Sequence, residues 1–327
     1  MAGRRTDTRA SGGAGITTMT IATLVDHWRR FTDSDLLYSF TRSKVTITAA
    51  VVLVLLFLSA GLAPWIAPHD PFDIATLDLM DSELPPVWEE DGDPRFLLGT
   101  DTQARDVLSS ILHGLRISLL VGFASVILAT VVGVFFGLLS GFVGGMVDAA
   151  IMRVADVLLS FPAILVALLI NGVLRGMLPT EYHQDVAIFV LIMAIGLTHW
   201  VQYARTVRSS TLVEKGKEYV QAAQIIGLAP LAIMLRHVLP NVMGPVLVIS
   251  TINLGMAVLT EATLSFLGVG MPPTEPSLGT LIRIGNEYLF SGIWWVVIFP
   301  SVTLALLVLA VNLLGDWLRD ALNPKLR

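Results

Sequence analysis

The sequence contains no cysteine, which removes disulfides, iron–sulfur clusters, thiolate zinc sites and cysteine nucleophiles from this chain. Charge is also scarce. Asp, Glu, Lys and Arg make up 14% of the 327 residues, against about a quarter in ordinary soluble domains. No Gly-x-x-x-x-Gly-Lys-Ser/Thr stretch occurs, because Gly216-Lys217 is followed by Glu218, so the chain carries no phosphate-cradling loop for ATP. The six histidines, His27, His69, His113, His183, His199 and His237, are scattered without paired metal-ligand spacing. No nucleophile–base pair can be assembled, so catalysis by this chain is not expected, and no nucleic-acid partner is expected either. No cleavable signal peptide is expected either, since the first long apolar run begins only near Val45.

What is present is apolar: 54% of residues, gathered in charge-poor runs long enough for the roughly 20 residues that a bilayer crossing requires. Six spans are expected, over 45–67, 117–147, 148–173, 186–204, 238–260 and 292–315. In lipid each should be a helix, because its backbone polar groups must be satisfied within the segment. The 117–147 run is too long for one untilted crossing, and Gly141, Gly144 and Gly145 place a turn near its end. The resulting fold class is all-α, a six-helix membrane bundle. The chain divides into a tail at 1–44, a first span with an acidic loop at 45–110, and a core at 111–327. Met19 is an alternative start to Met1. In the tail, Leu36, Leu37 and Phe40 recur at helical spacing ahead of Arg42 and Lys44, either as a helix on the membrane surface or as the first turns of the following span.

Lys and Arg concentrate on cytoplasmic segments of membrane proteins. With both termini placed inside, sixteen of the 21 Lys and Arg side chains fall inside, four fall outside and Arg116 lies at a boundary. The opposite orientation would invert that asymmetry. The outer loop over 69–106 is correspondingly acidic, with Asp70, Asp73, Asp78, Asp81, Glu83, Glu89, Glu90, Asp91 and Asp93.

The inner segment 209–240 carries the most information. Residues 217–226 suit a short helix with small Ala222 and Ala223 on its surface. Gly227 suits the left-handed position that ends such a helix. Pro230 suits the first turn of a second helix, where its missing amide hydrogen costs nothing. Pro240 should end or kink that second helix. The product is a helix-turn-helix that either receives another protein or simply connects two spans.

Gln221-Ala222-Ala223, three residues, Gly227, nine residues, then His237-Val238-Leu239-Pro240 resembles the coupling loop of binding-protein-dependent ABC importer permeases. The usual pattern there is Glu-Ala-Ala, three residues, Gly, nine residues, Ile, one residue, Leu-Pro. Gln221 and His237 depart from it, and a carboxylate at the first position is lost. Further stretches are similar to the C-type permease of the peptide and nickel branch. One is Gly99-Thr100-Asp101-Thr102-Gln103-Ala104-Arg105-Asp106, with Ala104 where a Gly is usual; the others run from Glu261 to Pro273 and from Asn312 to Arg327. The resemblance covers 34–327.

This resemblance implies a type I importer permease in the bacterial cytoplasmic membrane. It would pair with a homologous second permease, two ATP-binding subunits that supply ATP and Mg, and an extracytoplasmic binding protein that delivers di- or oligopeptides. The expected coupling residues are Gln221, Ala222, Ala223, Gly227, Pro230, His237, Leu239 and Pro240. Glu261, Asn253 and Asn312 are candidates to line the path or face the binding protein, as intramembrane polar groups usually face the bundle interior. Asn171 is a further polar group of this kind, and Arg153 is suitably spaced to pair with Asp156. The same machinery serving nickel or another small solute is one alternative. A stand-alone proton-coupled transporter is another, but it calls for mid-span carboxylates, whereas the acids here sit at helix ends or in loops.

Overall fold

The computed structural model describes residues 35–73, 77–184 and 186–321. Most of the expected tail, 1–34, lies outside them. The chain separates into two units, 1–47 and 48–327. In the first, α1 (Asp35–Arg42) is a separate helix rather than the opening turns of the first span. Ser43 interrupts the two: its hydroxyl accepts from the Thr46 amide at 3.2 Å, capping the start of the next helix.

That helix, α2 (Lys44–Gly61), continues into the larger unit, and a one-turn helix, α3 (Ala63–Ile66), follows it. Val51, Val54, Leu55 and Leu58 of α2 are exposed, as suits a face turned to lipid or to another chain. Leu53, Leu56 and Phe57 pack against the main core.

The second span begins ten residues earlier than its apolar run. Helix α4 (Val107–Val143) starts at Asp106, whose carboxylate accepts from the Ser109 amide at 2.9 Å, an N-cap that the hydropathy pattern does not reveal. Its 37 residues extend roughly 55 Å, well beyond the ~30 Å hydrocarbon core of a bilayer. It ends where the glycines predicted a turn, at Gly144 (φ +73°) and Gly145 (φ +58°).

The third span is not one straight helix. Helices α5 (Gly145–Leu159) and α6 (Ala163–Gly176) meet at 100°. The cause is local: Pro162 has no amide to donate and disfavours helical backbone at Phe161, so the ladder stops at Ser160. The remaining helices are α7 (Ala187–Lys215), α8 (Glu218–Ile225), α9 (Pro230–Phe266), α10 (Leu278–Tyr288) and α11 (Trp295–Ala321). Among the described residues, five helices are long and apolar enough to cross a membrane, and the bent pair makes a sixth if it counts as one span.

The bundle is centred on α4 against α7. Gly133, Gly137 and Gly141 recur every four residues along one face of α4, which brings the two backbones together. A Cβ at Gly133 would lie 2.3 Å from Tyr203 Cβ, at Gly137 2.6 Å from the Ala204 carbonyl oxygen, and at Gly141 2.7 Å from Thr211 Cβ. Helix α9 packs on α4, α7 and α11, and α10 lies between α9 and α11. The main core joins Val107, Ile111 and Leu115 to Leu264, Leu278 and Trp295 at one end of the bundle. A second core, around Tyr203, Val207, Val220, Ile233, Val238 and Val242, lies at the other.

Two ion pairs tie the bent pair to α7. Arg208 makes a two-pronged contact with Asp148, Nε to Oδ1 at 2.5 Å and Nη2 to Oδ2 at 2.6 Å, and Arg205 pairs with Asp156. The Arg153–Asp156 pair expected from spacing is therefore replaced by partners on a facing helix.

Candidate functional site

The segment between α7 and α9 folds as a short helix, a tight turn and a second helix. Lys217 is extended, α8 runs to Ile225, and Gly227 takes φ +83°. The Leu228 amide donates to the Ala223 carbonyl at 3.1 Å and the Gly227 amide to that of Gln224 at 3.0 Å. These are the paired bonds of a Schellman termination, which needs a left-handed residue at Gly227. Pro230 stands in the first turn of α9.

Pro240 does not end that second helix. Over Met234–Val238 the chain widens into a single π-turn, closed by the Leu239 amide donating to the Met234 carbonyl, and then continues as α-helix to Phe266. The wider turn accommodates a residue without an amide hydrogen while keeping the axis continuous.

One face of the segment is fixed to the bundle. Val220, Ala223, Ile233 and Val238 are buried in the second core, beside Val242. The small-residue surface is therefore divided: Ala223 faces inward and Ala222 is exposed. The opposite face is apolar and uncovered. Ile225 is 86% exposed, Ile226 77% and Leu231 64%, with Leu228 and Leu235 beside them. Gln221 is also exposed and bonds through Nε2 to the Gly216 carbonyl of its own turn at 3.1 Å. Leu239 and His237 are half-buried, and Pro230 and Pro240 are exposed.

A polar bridge missed by the sequence reading spans the base of the segment. Tyr219 Oη donates to Glu214 and accepts from Asn241 Nδ2 at 3.1 Å; Lys217 Nζ reaches the same Glu214 at 2.6 Å. Partial burial of the hydroxyl and the carboxylate facing it push the Tyr219 phenol up to about 12. The bridge joins residues on three elements, which spacing alone does not bring together.

At the opposite end, Glu261 is fully buried in α9 and accepts from Ser118 Oγ and Ser265 Oγ, each at 2.7 Å. Ser118 accepts in turn from the Leu278 amide at 3.3 Å, and Ser265 from the Met271 amide at 3.1 Å. Arg175 donates to the Gly270 carbonyl at 2.7 Å, Asn171 to that of Val269 at 2.8 Å, and Arg105 to that of Pro273 at 3.1 Å. Two of the motif stretches, 99–106 and 261–273, thus meet in one clamped turn. Arg105 also closes on Asp101 at 2.7 Å, and Trp295 Nε1 donates to the Thr100 carbonyl at 2.9 Å. Ala104 adopts φ +61° here, which explains why glycine is usual at that place in the pattern. In the acidic loop, Arg95 spans Asp81 and Asp93, and its hydrogen bonds hold the Asp93 carboxyl below its ordinary range.

Asn253 is buried in α9, and Asn312 of α11 stands against Gly255, where a Cβ would lie 2.9 Å from the amide oxygen. A cavity of about 630 Å³ opens between α7, α9 and α11, lined by Thr206, Gly244, Pro245, Val248, Ile249, Ile252 and Arg319.

Comparison with known proteins accounts for this arrangement. Residues 133–327 match the family described as binding-protein-dependent transport system inner membrane component, and residues 24–86 match the N-terminal transmembrane domain of oligopeptide transport permease C. The chain belongs to this permease family. It is 38% identical over 290 residues to the di/tripeptide transport system permease protein DppC of Pseudomonas aeruginosa, covering 88% of this chain and 91% of that protein. It is 34% identical over 293 residues to the oligopeptide transport system permease protein OppC of Bacillus subtilis, covering 90% of each. The bundle superposes on a chain of the inward-facing MetNI methionine ABC transporter with a TM-score of 0.51, at 20% identity, over 65% of this chain and 96% of that one. The fold is that of a type I ABC importer permease. The chain is a multi-pass membrane permease subunit, and its family works with a partner permease and an ATPase.

Proposed function

We propose that this permease carries di- or oligopeptides across the bacterial cytoplasmic membrane, as half of a path completed by a homologous second permease. Two cytoplasmic ATP-binding subunits supply ATP and Mg, and an extracytoplasmic binding protein delivers the cargo. Both termini and the segment between α7 and α9 face the cytoplasm, an orientation supported by the distribution of Lys and Arg.

The observation that carries the reading is the two-faced loop. Ile225, Ile226, Leu228, Leu231 and Leu235 form an uncovered apolar face on a segment whose other face is locked into the bundle. A water-facing apolar patch of that kind suits a protein partner. ATPase closure would displace α8, and α9 would carry the displacement toward Asn253 and Glu261, a nucleotide-biased rigid-body switch. Gln221 contacts the partner as a neutral amide in place of the usual carboxylate. Asn312 lines the path while Asn253 is buried inside the bundle, the cavity beside Arg319 forms its inner mouth, and Glu261 fixes the clamped turn that faces the binding protein.

The test is uptake. The chain is purified with its co-expressed partner subunits, reconstituted in vesicles, and offered labelled di- and tripeptides with the binding protein and internal ATP. ATP-dependent peptide accumulation is expected. Accumulation of nickel but not peptide would reassign the cargo, and accumulation driven by a proton gradient without ATP would refute the importer reading.

A further inference from the structure

A displacement of α8 has two routes into α9 besides the apolar packing of Val220 and Ala223. One is the backbone, through the Gly227 turn and the π-turn at Met234–Val238, which interrupts the α-helical ladder just before the span. The other is the side-chain bridge. Tyr219, in the first turn of α8, accepts from Asn241 Nδ2 at 3.1 Å, and the same amide donates to the His237 carbonyl within the π-turn at 2.6 Å. Tyr219 Oη also lies 3.4 Å from that carbonyl. On its other side the hydroxyl donates to Glu214 at the end of α7, which Lys217 also holds. One phenol thus joins the end of α7, the loop helix and the first α-turn beyond the π-turn. Apolar packing of Val220 and Ala223 against Val238 and Val242 holds the loop in place without it.

We propose that Tyr219 and Asn241 are positioning residues that bypass the π-turn, so that motion of the loop helix reaches the membrane span instead of being absorbed in the wider turn. This rests on the coupling-loop reading above. π-turns recur at functional sites, and here one marks the joint that the bridge stiffens. The Tyr219 ring stays seated when only its hydroxyl is removed, so Tyr219→Phe separates transmission from folding.

The experiment measures ATP hydrolysed per peptide transported by the reconstituted complex, for the wild type, Tyr219→Phe, Asn241→Ala, the double variant and Gly227→Val. Tyr219→Phe is expected to co-purify with its partners in unchanged proportion and to hydrolyse ATP. Its ATP-to-peptide ratio should rise roughly three- to tenfold, the scale of one or two lost hydrogen bonds. Asn241→Ala should do the same, and the double variant should be no worse than either single one. A wild-type ratio in Tyr219→Phe, multiplying effects in the double variant, or loss of the partner subunits from Tyr219→Phe would each overturn the proposal. Gly227→Val separates the two readings. If it abolishes transport while Tyr219→Phe is normal, only the bridge fails; if it too transports normally, the coupling-loop reading fails.

Discussion

Substituting Gly227 tests the turn that aims the exposed face of the loop. A Cβ at this position would meet nothing within 4 Å in this chain. Within this chain the penalty lies in the backbone, held at φ +83° by the bonds from Gly227 and Leu228 back to Gln224 and Ala223. For an L-residue other than glycine the left-handed conformation costs roughly 1–2 kcal/mol. That is about a five- to thirtyfold shift toward any competing loop geometry. A β-branched residue is a worse outlier, while Asn visits the region most readily. Uptake in vesicles should therefore fall in the order glycine, Asn, Ala, Val, with Val close to inactive. Membrane insertion should be unchanged in all four, because the spans do not include this turn. Val equal to glycine would refute the argument.

Other outcomes follow from particular contacts. Gly137→Leu should destabilise the bundle by at least the ~1–3 kcal/mol of ordinary overpacking, because its Cβ would lie 2.6 Å from the Ala204 carbonyl oxygen; unchanged thermal stability would contradict the close approach of α4 and α7. Tyr219 is favoured in its protonated form, so its contribution is complete below the ordinary tyrosine range near pH 10 and is lost as pH rises toward about 12. The phenolate difference spectrum between wild type and Tyr219→Phe should show its step there, and a step near pH 10 would deny the bridge.

Much of this was legible in the sequence because it is written in local chemistry. The Gly227 stop and the Pro230 start each reflect one residue's backbone limits, and the apolar run after Lys44 needs only its length. The bend at Ser160–Pro162 was harder to see, since hydropathy measures how long a run is and not where it points. The Phe-Pro step was the available signal. The partners of Asp148 and Asp156 lie 60 and 49 residues away, beyond any spacing rule confined to one helix. The Gly133, Gly137 and Gly141 stripe is written in a period of four that apolarity alone does not show. The π-turn has no sequence signature of its own, and Pro240 alone pointed to a break.

The central claim is that the exposed face of the α8–α9 loop docks the ATPase subunits, and the absence of cysteine makes it directly testable. Ile225→Cys would be the sole thiol of the chain. In the assembled complex, a short photoactivatable cross-linker on that thiol should capture an ATP-binding subunit, identified by mass spectrometry, and the thiol should be shielded from maleimide until the subunits are stripped away. A thiol that labels freely in the intact complex and cross-links to no ATP-binding subunit would contradict the account.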